Sequence, residues 1–138
     1  MSYTALYIAN TDITDSIARD FITNSDSRLD TWMRNTDDEI KALALSLGVS
    51  IESIVTPVNY RIKEYAIAYY CFALFQDCYG ENEVEDNAND IYKIKLEWYA
   101  NRVNALRGLI SKEMFFYEAT ANIPASSMVA NTGIIWVA

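Results

Sequence analysis

The sequence predicts an all-α protein: a small helical bundle with two long helices and a non-helical, β-prone C-terminal arm. Three observations carry this expectation. Apolar residues return at three- and four-residue intervals from Ile17 to Ile110, punctuated by capping signals and glycines. One stretch, about Pro57 to Tyr79, is apolar nearly all round, which suits a helix covered on several sides. The last twenty residues, ATANIPASSMVANTGIIWVA, carry no charge, although the chain has a net charge of −8. The expected organisation is a helical bundle domain over residues 1–118 and an extended docking arm over 119–138.

The opening residues, YTALYIA, fit either a short strand or an extended lead-in. Thr11, Asp12 and Thr14 offer N-caps for the first helix. Apolar positions then run Ile17, Phe21, Leu29, Trp32 and Met33, with Ser25 filling the gap and a break expected near Thr23–Ser25. Thr36-Asp37-Asp38-Glu39 has the form of a capping box. It predicts a new helix with Ile40, Leu43, Ala44 and Leu47 on one face and Gly48 as its stop. After the turn VSIESIV, Thr56-Pro57 reads as a helix start, because proline at the first helical position loses no needed donor. That helix holds Val58, Ile62, Tyr65, Ala66, Tyr69, Phe72, Ala73 and Phe75, and ends at Gly80. ENEVEDNAND reads as an exposed acidic connection. The last long helix, about Asn89 to Phe115, steps through Tyr92, Leu96, Tyr99, Val103, Leu106 and Ile110, with Ile91 and Trp98 widening the stripe.

At 138 residues, 51% of them apolar, the chain can bury one packed core. Its 19 acids against 11 bases leave no basic footprint for gripping phosphate, so specific duplex binding is not expected. Histidine is absent, and with it the Ser-His, Cys-His and Glu-x-x-His arrangements. Cys71 and Cys78 fall seven apart on one helix, about 10 Å and beyond disulfide reach, so two buried thiols in a reducing compartment are expected. The four glycines are scattered and form no phosphate loop. The acidic run from Glu81 to Asp90 lacks the glycine and register of an EF-hand and reads as solvated charge. No catalytic, cofactor-binding or metal site is expected. Tyr65, Tyr69, Tyr92 and Tyr99 fall on core positions, which favours packing over base stacking. No signal peptide is expected at the start, and the longest uncharged apolar run, Ala66 to Phe75, is half a membrane span.

The arm poses an energetic question. Ile123, Met128, Val129, Ile134, Ile135, Trp136 and Val137 would each contribute about 1.5–3 kcal/mol on burial. Fixing each backbone residue costs about 1–2 kcal/mol, and every residue of the segment incurs it. Side-chain burial alone is too little, so backbone pairing must contribute, and a partner or neighbouring copy is the economical host. The β-branched IIWV run suits such pairing. These seven residues are the expected partner-binding set, the alternative being an arm folded along its own bundle.

The segments DITDSIARDFITNSDSRLDTWM, PVNYRIKEYAIAYYCFALFQDCYG and IYKIKLEWYANRVNAL, with an acidic break before the last, resemble the α-helical head–tail connector proteins of tailed bacteriophages. These are also called adaptor or head-completion proteins. The likeness spans about residues 10–112 and is one of layout, size and helix character. It implies a structural virion protein: a ring beneath the portal that extends the DNA channel and links capsid to tail. The implied location is the virion neck, after assembly in the host cytoplasm. The implied partners are the portal protein, neighbouring copies and the next neck or tail protein, with DNA passing unbound and no membrane involved. No catalytic residues come with the family. A DNA conduit works better acidic than basic, so Glu81, Glu83, Glu85 and Asp86 are candidate lumen-facing or partner-facing acids, with an outer-surface location as the alternative. Two rival classes stand beside this reading. One is a small acidic protein-interaction module. The other is a carboxylate- and magnesium-dependent all-α nucleotide hydrolase, disfavoured because no Glu-x-x-Glu pair is present.

Overall fold

The computed structural model describes residues 3–81 and 86–116, with residues 80, 81 and 86–90 described by their backbone alone. Among these residues lie four α-helices, α1 (Ser16–Thr23), α2 (Leu29–Ser46), α3 (Tyr60–Glu81) and α4 (Asp86–Arg107), and no strand. Short 3₁₀ turns occupy Asn10–Asp12, Ile51–Ser53 and Lys112–Phe116. The chain is thus a helical bundle with two long helices. The arm over 119–138, and with it the expected domain boundary, lies outside the described residues.

Residues 3–9 are a lead-in rather than a strand, tied to α2 by two carboxylates. The Tyr3 amide donates to Asp30 at 3.0 Å, while the Tyr3 hydroxyl and the Leu6 amide donate to Asp37 at 2.6 and 3.0 Å. The cap of α1 is Asp15, whose Oδ1 accepts from the amides of Ile17 and Ala18 at 2.9 and 3.0 Å. This corrects the expectation of Thr11, Asp12 or Thr14. Asp12 instead closes the preceding turn by accepting from the Ala9 amide. The break near residue 25 is real: Ser25 takes the left-handed conformation (φ 55°), and Asp26 accepts from the Arg28 amide.

α2 then runs unbroken from Leu29 to Ser46, so the apparent capping box starts nothing. Thr36 and Asp37 lie fully buried in mid-helix. The Thr36 hydroxyl turns back to the Trp32 carbonyl at 2.8 Å, and Glu39 reaches Tyr65 on α3 instead of its own helix start. The expected stop at Gly48 holds and has a full mechanism. Gly48 adopts φ +85°, its amide donates to the Leu45 carbonyl, and the Val49 amide donates to the Ala44 carbonyl, the paired bonds of a Schellman ending.

α3 begins at Tyr60 rather than at Pro57, after a cis Thr56–Pro57 peptide. Asn59 supplies the first-turn acceptor, its Oδ1 taking the Arg61 amide at 3.0 Å. Gly80 falls inside α3, not after it. α4 opens at Asp86 and stops at Arg107, well short of Phe115. The chain turns at Gly108, and the last 3₁₀ turn carries Phe115 back into the core. There the Val55 amide donates to the Phe115 carbonyl at 2.9 Å.

α3 is the centre of the molecule. Ile62, Tyr65, Ala66, Tyr70, Cys71, Leu74, Phe75 and Cys78 are all buried, as expected of a helix with little polar face. Both cysteines are buried thiols outside any disulfide, as their spacing requires. α2 covers α3 with Trp32, Met33, Ile40 and Leu43, and the Trp32 indole N–H donates to Asp77 at 2.7 Å. α4 packs antiparallel to α3: Arg102 faces Glu64, and Phe75 contacts both the Tyr99 ring (5.7 Å, stacked) and the Tyr92 ring (6.2 Å).

Candidate interaction surface

Two faces of α4 part company. Val103 and Leu106 are buried against α3, with Tyr92, Leu96 and Tyr99 half-buried beside them. Ile91, Ile94 and Trp98 point away and are 44%, 64% and 55% exposed. At about 100° per residue these three fall within about 60° of one another, on a face centred about 125° round the helix from the Tyr92–Tyr99–Val103 side. Ile91 and Trp98 therefore do not widen the core stripe, as the sequence reading expected; they build a second one. Ile94 had no place in that reading, although its spacing from Ile91 and Trp98 shows the face directly.

Trp98 sits at the edge of a cleft of about 370 Å³ lined by Thr14, Glu64, Ile67, Ala68, Trp98 and Arg102, among others. Its ring stands edge-on to Tyr99 at 4.8 Å, and the Arg102 guanidinium lies 5.6 Å from its centroid. Arg102 also meets Glu64 at 3.5 Å, so the two charges at the cleft rim face each other.

The floor beneath this face is fixed by a half-buried polar junction. Oδ2 of Asp15 accepts from the Lys95 ammonium at 2.8 Å and from the Tyr99 hydroxyl at 2.9 Å. Burial pushes the Asp15 carboxyl up, but Lys95, the Ala18 amide and Tyr99 outweigh it and hold the carboxyl below its ordinary value. Burial likewise raises the Tyr99 hydroxyl and pushes the Cys71 thiol up to about 12. A thiol held that high is a packing group rather than a nucleophile. A second junction, Glu39 between the Tyr65 hydroxyl and Arg107 (3.3 Å), ties α2, α3 and α4 together.

A further open cleft, about 420 Å³, lies between residues 6–9 and Pro57, with Lys63 and Asp12 paired at 3.2 Å on its wall. Among the described residues no group of three or more cysteines and carboxylates is placed to hold a metal ion, and no helix is long and apolar enough to cross a membrane.

Ile123, Met128, Val129, Ile134, Ile135, Trp136 and Val137 lie outside the described residues, as do Glu83 and Glu85. Glu81 is the last residue of α3 and Asp86 the first of α4, so both stand at the connection between the two long helices. Compared with known proteins, the chain matches no family model, no curated protein and no solved structure.

Proposed function

We propose that the protein is a head–tail connector of a tailed bacteriophage, a structural subunit that assembles into a ring beneath the portal, extends the DNA channel and joins capsid to tail. One observation carries this reading. The uncharged segment 119–138 continues from an acidic helical body that, among its described residues, offers no strand to pair with it. Such a segment is ordered most readily by another subunit. Two features support it further: the helix layout resembles that family, and the net charge of −8 suits a conduit that must let DNA pass. Its partners in this role are the portal protein, neighbouring copies and the next neck or tail protein, at the virion neck.

Electron-microscope class averages of the purified protein mixed with its portal test this directly, combined with limited proteolysis. The expected result is a ring seated on the portal, with cleavage within residues 119–138 in the free protein and protection in the assembly. Equal cleavage in both states, and no ring, would sink the proposal. The outward Ile91–Ile94–Trp98 face also suits an interaction module with a single protein partner. A stable one-to-one complex in place of a ring would favour that reading.

A further inference from the structure

We infer that the outward face of α4, formed by Ile91, Ile94 and Trp98 with the cleft beside Trp98, receives the apolar ribbon Ile134–Val137 of a second copy of this chain. The inference rests on the connector reading and deepens it by naming the acceptor surface for the arm.

Single exposed apolar residues are ordinary, but three large ones aligned on one helical face mark a contact site. The cleft that continues this face is floored by Ile67 and Ala68, and its rim charges, Arg102 and Glu64, face each other. A ligand without charge meets no unpaired ion there. Residues 119–138 are such a ligand, and Trp136 is the kind of aromatic anchor that seats in a cleft of this size.

Chain length favours a second copy as the supplier. The α3–α4 hairpin is antiparallel, and the Val55–Phe115 bond holds the end of the last 3₁₀ turn near the start of α3, beside the end of α4. From the end of α4, Trp98 lies back about 14 Å and Ile91 about 24 Å along the helix. An extended chain advances about 3.3 Å per residue, so within one molecule residues near 120–124 would come level with this face. The 18 residues from Phe116 to Ile134, if extended, would span up to about 60 Å and run past this face of their own molecule. That reach is right for a neighbour. Because donor ribbon and acceptor face are different parts of the chain, the contact is heterologous, and repetition closes a ring or extends a filament.

The full-length chain provides the test, by sedimentation velocity over a range of concentrations. Ile94→Glu and Trp98→Glu change exposed positions on α4, and Trp136→Glu changes the ribbon; circular dichroism and thermal melts report whether each still folds. The expected result is multi-copy wild-type protein, with association weakened about tenfold or more in every folded variant. Mixing an Ile94→Cys chain with an Ile135→Cys chain should give an interchain disulfide under oxidation that neither chain forms alone. If Trp136→Glu abolishes association while both α4 variants associate normally, the acceptor lies elsewhere, and this inference fails while the connector reading stands. An intrachain disulfide in a monomeric Ile94→Cys/Ile135→Cys double variant overturns it as well. So does wild-type protein that remains monomeric at every concentration, while ring formation on the portal is judged separately.

Discussion

The Tyr99 hydroxyl, on α4, donates at 2.9 Å to the Asp15 carboxylate, which caps α1. One side chain thereby does two jobs. Asp15 Oδ1 supplies the missing acceptor of a helix start, and Oδ2 gathers Tyr99 and Lys95 from α4. Asp15→Ala is expected to lower stability by about 2–4 kcal/mol, combining a lost cap with lost charge-assisted hydrogen bonds. Asp15→Asn keeps the capping oxygen and should lose distinctly less. Urea denaturation with an unchanged slope checks both, and equal losses would show that the contacts with Lys95 and Tyr99 carry the effect and the cap contributes nothing.

Asp15 and Asp37 should respond to pH in opposite senses. The Asp15 carboxyl is held below its ordinary value, so the stability it contributes is fully present above about pH 4 and is lost as pH falls towards the folded value. Asp37 is fully buried, and burial pushes its carboxyl up, outweighing the bonds from Tyr3 and Leu6. Between about pH 4 and that raised value the native state holds the extra proton, so stability falls as pH rises through this window. Asp37→Asn retains an acceptor for Tyr3 and Leu6 but cannot ionise. Its stability relative to wild type should therefore climb above about pH 4 and then level off. Denaturation from about pH 3 to 8 measures the difference, and a flat difference would remove Asp37 from the account.

Much of this fold is legible in the apolar spacing, and local punctuation misleads where the two disagree. Leu29, Trp32, Met33, Thr36, Ile40, Leu43 and Ala44 keep helical spacing straight through the supposed capping box. Nothing between Leu29 and Glu39 breaks a helix, and the box residues were recruited by tertiary partners: Glu39 by Tyr65 and Arg107, Asp37 by Tyr3 and Leu6. Pro57 has the form of a first helical residue, yet Asn59 does the capping. The expected helix runs past the end of α4 because Ile110 is buried as the stripe suggests, but Ile110 and Phe115 reach the core by a turn and a 3₁₀ segment. The outward α4 face was legible too, since Ile91 and Trp98 lie off the Tyr92–Tyr99 line once angles are counted rather than apolar residues. The burial of polar groups such as Asp37 was not, because it depends on which distant donor arrives.

The two thiols give a simple check on packing. Cys71 and Cys78 are buried on α3, and the Cys71 thiol is pushed up to about 12 by burial. A disulfide reagent at neutral pH should leave both unmodified in the native protein and titrate both in denaturant. Rapid labelling of either under native conditions would mean that the α3–α4 contact opens readily.

The last described turn joins the body to the arm, and two adjacent phenylalanines separate its roles. Phe115 is fully buried and its carbonyl accepts from Val55, whereas Phe116 is 44% exposed. Phe115→Ala should therefore cost about 3–5 kcal/mol, the range for deleting a buried aromatic. Phe116→Ala should stay within about 0.5 kcal/mol. The Val55 amide supplies an independent reading. If Phe115 anchors the turn, hydrogen exchange at Val55 should accelerate in Phe115→Ala by more than the global loss of stability explains, and should not change in Phe116→Ala. Equal, small effects from both substitutions would mean that the turn merely rests on the bundle, and the arm would then leave from a loose joint instead of a fixed one.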